Sequence, residues 1–208
     1  MNLTGKKEYF EKIYSPVGTF LYKLRFPANL VTFLSLIMGT ASALAYYYGN
    51  LIIAMSLLAT SGILDLSDGI VARLSGKPTK FGAVFDWIAD KWVDGLVLGI
   101  VGYFYANPFW AILVVTLTML HSFIKPVVYA EIGYEVKIKG KIKDPLENVG
   151  FFGRPETHLF LIIFTILEKV NAPIGLNYGI KIITLLTLFS LLHRIIYLYK
   201  NFGKTYNE

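Results

Sequence analysis

Asp65, Asp68, Asp86 and Asp90 stand inside strongly apolar stretches of this chain, where a carboxylate is costly and usually faces a bundle interior or a polar cavity. The first pair lies near the end of one apolar run, in Leu64-Asp65-Leu66-Ser67-Asp68-Gly69-Ile70-Val71-Ala72-Arg73. The second opens the next, in Gly82-Ala83-Val84-Phe85-Asp86-Trp87-Ile88-Ala89-Asp90-Lys91. Spacings of three and four residues put each pair on one face of a helix. A short basic link joins the two runs, so the helices are expected to run antiparallel with these ends side by side. Four negative charges in one low-dielectric pocket repel unless something neutralises them, and a divalent cation is the simplest answer. All candidate ligands are oxygens, since no His lies in the cluster and the chain has no Cys. Hard oxygen ligands select Mg²⁺, Mn²⁺ or Ca²⁺ over Zn²⁺ or Cu. Four carboxylates can hold two ions, the arrangement that clamps the attacking and leaving oxygens of a phosphoryl displacement. Gly69 and Gly82 let a ligand approach the backbone, and Arg73 can hold a phosphate. The plainer alternative pairs these carboxylates with Arg73, Lys77, Lys80 and Lys91, but four at these spacings favour the metal. Asp94 continues the 86–90 face one turn deeper and is expected to pair with another polar group.

The elements that must position this cluster are membrane helices. The 208 residues are 55% hydrophobic and 16% charged, with a mean hydropathy of +0.54. A soluble domain carries roughly a quarter charged residues, whereas a bilayer-spanning helix needs about 20 mostly apolar ones. Apolar runs fall near 29–48, 50–73, 82–105, 108–131, 156–172 and 178–199. They predict an all-α, polytopic membrane bundle of six transmembrane helices, read as a single integral membrane domain over 1–208. Disorder, collagen, coiled coil and a disulfide scaffold are excluded by composition. Gly49-Asn50 and Asn107-Pro108 mark two tight turns. Residues 1–26 read as a juxtamembrane amphipathic surface helix rather than a secretory signal, interrupted at Pro16-Val17-Gly18. The alternating stretch Val136–Lys143 reads as a solvated or interfacial segment, with a small hairpin around Gly140.

Basic residues orient the bundle. Lys6, Lys7, Lys12, Lys23 and Arg25 precede the first run; Arg73, Lys77 and Lys80 link the second and third. Lys137, Lys139, Lys141, Lys143 and Arg154 link the fourth and fifth, and Arg194, Lys200 and Lys204 close the chain. With six spans these four segments share one side, which places both termini and the aspartates at the cytoplasmic face of a cell membrane. The net charge of +6 then meets anionic lipid headgroups. Nucleic acid is excluded as a partner, because no soluble basic module exists to carry it.

The segment 65–90 reads D-x2-D-G-x2-A-R-x8-G-x3-D-x3-D. It resembles the signature of the CDP-alcohol phosphotransferase (phosphatidyltransferase) family at all of its defined positions. Pro27-Ala28-Asn29-Leu30-Val31-Thr32 is similar to a Pro-Asn-x-x-Thr element of that family, with Ala28 inserted. The resemblance implies a transferase that uses a CDP-linked lipid donor, releases CMP and works as a homodimer. It implies Asp65, Asp68, Asp86 and Asp90 as metal ligands for two ions, Mg²⁺ or Mn²⁺, and Asp90 as base for the incoming hydroxyl. It implies Asn29, Thr32, Asp68, Gly69, Ala72, Arg73, Thr79 and Gly82 as the CDP site. From the residues alone, Asn29 can equally serve as N-cap of the first span.

The chain most resembles the branch that uses a CDP-lipid with inositol phosphate or glycerol phosphate, and inositol phosphate is the favoured acceptor; serine is a further alternative. Lys125, Arg154 and Lys91 are the candidate acceptor-binding residues. Lys125 can instead snorkel to the interface, and Arg154 can neutralise Glu156. Where the inositol-phosphate branch has an Arg-x-Glu-Arg-like element, the second Arg position here holds Thr157. His121, one turn before Lys125, is expected to be a hydrogen-bonded bundle residue, and Pro126 to kink its helix. A cation or proton transporter built on the same buried carboxylates is the alternative from another class.

Overall fold

The computed structural model describes residues 7–132, 137–138, 141–142, 146 and 149–203. Seven α-helices account for most of them: α1 Lys7–Lys23, α2 Ala28–Tyr47, α3 Leu51–Leu74, α4 Lys80–Val101, α5 Pro108–Ile132, α6 Arg154–Lys169 and α7 Leu176–Phe202. A π-helical turn, Gly102–Ala106, extends α4. β1 (Lys137–Ile138) and β2 (Lys141–Ile142) form a short antiparallel ladder, with Lys137 opposite Ile142. This is the hairpin expected there; Gly140 lies outside the described residues.

Each expected apolar run is a helix. Four of them, α2, α3, α5 and α7, are long and apolar enough to cross a membrane. α4 is long enough but carries Lys80, Asp86, Asp90, Lys91 and Asp94, and α6 has 16 residues. The turns follow the sequence signals. Gly49 sits at φ +74°, a left-handed conformation that suits glycine, and the Asn107 side chain accepts a hydrogen bond from the Trp110 N–H at 3.1 Å to start α5.

Two expectations about helix ends need correction. α1 is not interrupted at Pro16-Val17-Gly18; it runs unbroken from Lys7 to Lys23. Gly18 serves packing: a Cβ there would lie 2.8 Å from the Ile70 Cβ, so the missing side chain lets α1 lie against α3. α1 ends instead at Arg25, whose φ of +60° turns the chain as the Phe26 N–H reaches back to the Leu21 carbonyl. Asn29 is not the N-cap of α2. Pro27 takes that place in an extended conformation, its carbonyl accepting from the Leu30 and Val31 N–H groups, and this leaves the Asn29 side chain free of capping.

α2, α3 and α4 pack tightly because the contact positions are small or hydroxylic, as suits helices that associate in lipid. Ser35 Oγ donates to the Ser61 carbonyl at 2.9 Å while Ser61 Oγ donates to the Ser35 carbonyl at 2.8 Å. Ser42 Oγ donates to the Ala54 carbonyl at 2.8 Å. Tyr46 OH and Thr165 Oγ1, 2.7 Å apart, tie α2 to α6. Leu58, Val93, Val97, Leu98, Leu161 and Ile183 fill the core between these contacts. At one end α1 covers α3, and Leu146 and Val149 cover Val128, Ile124 and Leu198. The aspartates lie towards that end.

Gly39 makes this packing testable. A Cβ at Gly39 would collide with both methyls of Val93, which is fully buried, whereas one at Gly95 would meet only the flexible tip of Met119 at 3.4 Å. Gly39→Ala is expected to destabilise the bundle by about 1–3 kcal/mol. Gly95→Ala should be neutral or stabilising by up to about 1 kcal/mol, from helix propensity. Thermal unfolding of both variants in detergent measures the contrast.

Candidate active site

α3 and α4 deliver the carboxylates as the sequence spacing predicts. Asp65, Asp86 and Asp90 each place a carboxylate oxygen within 4.8 Å of the others. The fourth member is set apart. Asp68 is buried, and its Oδ2 accepts a 2.5 Å hydrogen bond from Thr32 Oγ1 on α2. The trio is closed from the other side by Arg154, the first residue of α6. Its Nη1 lies 2.6 Å from Asp65 Oδ2 and 2.7 Å from Asp90 Oδ1. Asp94, one turn below Asp90, accepts from Arg154 Nε at 3.1 Å and from His158 Nε2 at 3.0 Å, and pairs with Lys91 Nζ at 3.3 Å. Its side chain is 1% exposed, so burial and three donors account for a deep carboxylate. The sequence expectation of a polar partner for Asp94 is met. Arg154 is drawn to the aspartates rather than to Glu156, whose Oε2 accepts from the Gly153 N–H and caps α6.

Beside the trio opens a cavity of about 790 Å³. Asp68 and Asp86 form its acidic wall, and Lys23, Arg25, Arg73 and Lys77 supply positive charge. All eight residues expected at a nucleotide site line it: Asn29, Thr32, Asp68, Gly69, Ala72, Arg73, Thr79 and Gly82. Thr79 is also the N-cap of α4, its hydroxyl accepting from the Gly82 N–H at 2.9 Å. A Cβ at Gly82 would lie 2.9 Å from Asn29 Oδ1 and 3.0 Å from Thr79 Oγ1, so a side chain there would displace the Asn29 amide. A Cβ at Gly69 would meet Arg73 Nη1 at 3.6 Å, an ordinary contact, so glycine there chiefly leaves the cavity wider. The site thus combines an oxygen-only acidic cluster with a basic, glycine-lined hollow.

A family model described as CDP-alcohol phosphatidyltransferase matches residues 25–186. The chain belongs to this family. An archaetidylinositol phosphate synthase of Methanothermobacter thermautotrophicus is 27% identical to it over 86% of each chain. A phosphatidylinositol phosphate synthase of Corynebacterium glutamicum is 27% identical over 94% of this chain and 88% of its own. The crystal structure of Mycobacterium tuberculosis phosphatidylinositol phosphate synthase with CDP-DAG bound shares the fold, with a TM-score of 0.72 at 20% identity over 92% of this chain and 96% of that one. A structure of the same mycobacterial synthase in complex with manganese and citrate superposes equally well. The protein is therefore a phospholipid-biosynthesis transferase, which displaces the transporter alternative.

On the far side of the trio the enzyme has a second polar region. His121 on α5 is buried, 3.0 Å from Ser190 Oγ through Nε2, and its charged neighbours are Arg194, Lys125 and Lys91. Arg194 is 5% exposed; it donates to the His121 carbonyl at 2.7 Å and to the Val149 carbonyl at 3.0 Å. Ser190 Oγ takes the Phe151 and Phe152 N–H groups at 3.3 Å. These contacts seat the backbone that leads into Arg154. The sequence reading used Arg194 only as an orienting charge. The signal was present, because Thr184, Thr187, Ser190 and Arg194 recur on one buried face of α7, and an intramembrane charge marks a polar interior.

Thr32 offers a clean test of the donor-side wall. Thr32→Val keeps the side-chain shape but leaves Asp68 Oδ2 without its hydroxyl donor. A loss of about 1–3 kcal/mol in stability is expected, with recovery in Thr32→Ser, measured by thermal unfolding in detergent.

Proposed function

We propose that this enzyme transfers a phosphatidyl- or archaetidyl-type group from a CDP-lipid to the hydroxyl of inositol phosphate, releasing CMP. Asp86 is the observation that carries the reading. It belongs both to the carboxylate trio and to the wall of the basic cavity, so a nucleotide's diphosphate in that cavity would lie against the cluster. Two relatives matched over most of their length are an archaetidylinositol phosphate synthase and a phosphatidylinositol phosphate synthase. A glycerol-3-phosphate phosphatidyltransferase of Cereibacter sphaeroides, 36% identical over 45% of the chain, keeps glycerol phosphate as the rival acceptor.

The residues fit Mg²⁺ or Mn²⁺. The donor atoms are all carboxylate oxygens, and Asp90 Oδ1 is buried with an ion-pair contact but no hydrogen-bonded partner. Asp65, Asp68, Asp86 and Asp90 would hold two such ions. Bound there, they would neutralise the diphosphate and stabilise the departing CMP. The remaining steps fall to side chains. Asn29, Thr32, Ala72 and Thr79 shape the nucleotide cradle, Gly69 and Gly82 keep it open, and Arg73 supplies a guanidinium for phosphate. Asp90 accepts the acceptor's hydroxyl proton as that oxygen bonds the lipid-side phosphorus. The phosphorus–oxygen bond to CMP breaks, and CMP leaves with the bridging oxygen. Lys125, Arg154 and Lys91 form the basic side on which an anionic acceptor would dock. In this reading α4 and α6 complete six spans, α1 lies on the membrane surface, the site faces the cytoplasm, and the enzyme works as a homodimer.

The test is CMP release from a CDP-lipid offered with inositol phosphate, glycerol phosphate or serine. Release is expected with inositol phosphate, to fall to background in EDTA and to return with Mg²⁺ or Mn²⁺. Asp90→Asn should lower turnover by roughly 10²–10⁴-fold and leave CDP-lipid binding largely intact. Activity with serine alone would overturn the phosphorylated-acceptor reading.

A further inference from the structure

Arg154 occupies an unusual position for a residue expected to meet a substrate. A single nitrogen, Nη1, spans Asp65 Oδ2 at 2.6 Å and Asp90 Oδ1 at 2.7 Å. These are two of the three carboxylates that lie close enough to share an ion. An ion bridging the same oxygens would sit roughly 2.0–2.2 Å from each, in the space Nη1 fills. Two cations cannot share that point, so arginine and ion exclude one another there.

The other edge of the guanidinium is held separately. Nε bonds Asp94 Oδ1 at 3.1 Å, and His158 Nε2 reaches the same oxygen at 3.0 Å. Arg154 and His158 are four residues apart and grip Asp94 from one face of α6. Lys91 Nζ pairs with the second oxygen of Asp94 at 3.3 Å. With its side chain 1% exposed and all three donors in place, Asp94 is committed. It acts as an anchor and not as a member of the trio.

We propose that Arg154 is a built-in competitor for the divalent ion. It is anchored through Nε to Asp94, its Nη1 holds the Asp65 and Asp90 oxygens until an ion takes them, and ion loading turns the freed Nη groups outward. The anchor makes this a pivot. The guanidinium stays beside the cluster, where an anionic acceptor can be met only after the ion is in place. Loading of the ion then precedes productive acceptor binding. The inference rests on the metal reading of Asp65, Asp86 and Asp90.

Mn²⁺ binding to the full-length protein in detergent, followed by the EPR signal of free Mn²⁺, separates the two claims. Arg154→Gln removes the competing charge and is expected to tighten Mn²⁺ binding at least roughly tenfold. Arg154→Lys keeps a charge but cannot span Asp94 and the trio together, and should tighten it by less. Unchanged or weaker Mn²⁺ binding in Arg154→Gln overturns the competitor role while leaving the metal site intact. Wild type that binds no Mn²⁺, or binding that survives Asp86→Asn, overturns the metal reading and this inference with it. A second measurement needs no variant. Modification of Arg154 by phenylglyoxal, mapped by mass spectrometry in wild type, should run several-fold faster with Mn²⁺ than without; an equal or slower rate overturns the proposal.

Discussion

Concentrated negative charge among membrane helices is the constraint on which the rest of this protein depends. Asp65, Asp86, Asp90 and Asp94 converge from two helices in a bundle that offers little water. At an effective dielectric near 20, two unit charges about 4 Å apart repel by roughly 4 kcal/mol. Such a cluster stays ionised only if cations reach it. The chain supplies Arg154 and Lys91 directly, and His158 adds a hydrogen bond to the deepest carboxylate. That need for a cation reaches beyond α3 and α4. It makes α6 part of the site through its first residue, and makes the backbone before α6 part of the site through Ser190 and Arg194.

Bringing carboxylates so close requires backbones to approach closely. Gly18 on α1, Gly39 on α2 and Gly82 on α4 each stand where a Cβ would collide with a neighbouring element or wall. The reciprocal Ser35–Ser61 hydrogen bonds do the same work with polar atoms, locking α2 to α3 a little below the Thr32–Asp68 contact. The small and hydroxylic positions that seat α2 against α3 and α4 thereby set the width of the cavity. A nucleotide-sized hollow on one side of the trio and a buried basic network on the other are consequences of where these helices can touch.

Much of this was legible in the sequence. All six apolar runs became helices within a few residues of their expected ends, because uninterrupted apolar length is a strong signal. The D-x2-D-G-x2-A-R-x8-G-x3-D-x3-D spacing placed Asp65, Asp86 and Asp90 together, because helical periodicity fixes which residues share a face. What failed depended on contacts between helices. Pro16 and Gly18 read as a break, yet Gly18 is a packing position against Ile70. Asn29 read as a cap, but Pro27 is pre-set for that place and Asn29 turns towards Gly82. Asp68 shares a helix face with Asp65 and a cavity wall with Asp86, but its hydrogen bond from Thr32, a hydroxyl on another helix, is one that no spacing within α3 reveals. The partners of Arg154 were hidden for the same reason, since they lie 60 or more residues earlier in the chain.

The two helices that look least like membrane spans, α4 and α6, both bring charged side chains to the site. α4 holds five charged residues and α6 is short, at about 24 Å for 16 residues at 1.5 Å each. Neither feature is accidental to a site of this kind. The charges of α4 that matter face α3 and α6, where partners exist, while Phe81, Val84, Trp87, Ile88 and Trp92 remain on its exposed side. α6 begins where the carboxylates need a cation, so its first residue is spent on the site and its apolar length is reduced accordingly. A lipid-modifying enzyme has to place polar reacting groups at the depth of a lipid headgroup, and helices that hold such groups cannot also be uniformly apolar. The departure of α4 and α6 from the simple span pattern thus follows from the charged groups they bring to the site, which α3 completes with Asp65 and Asp68.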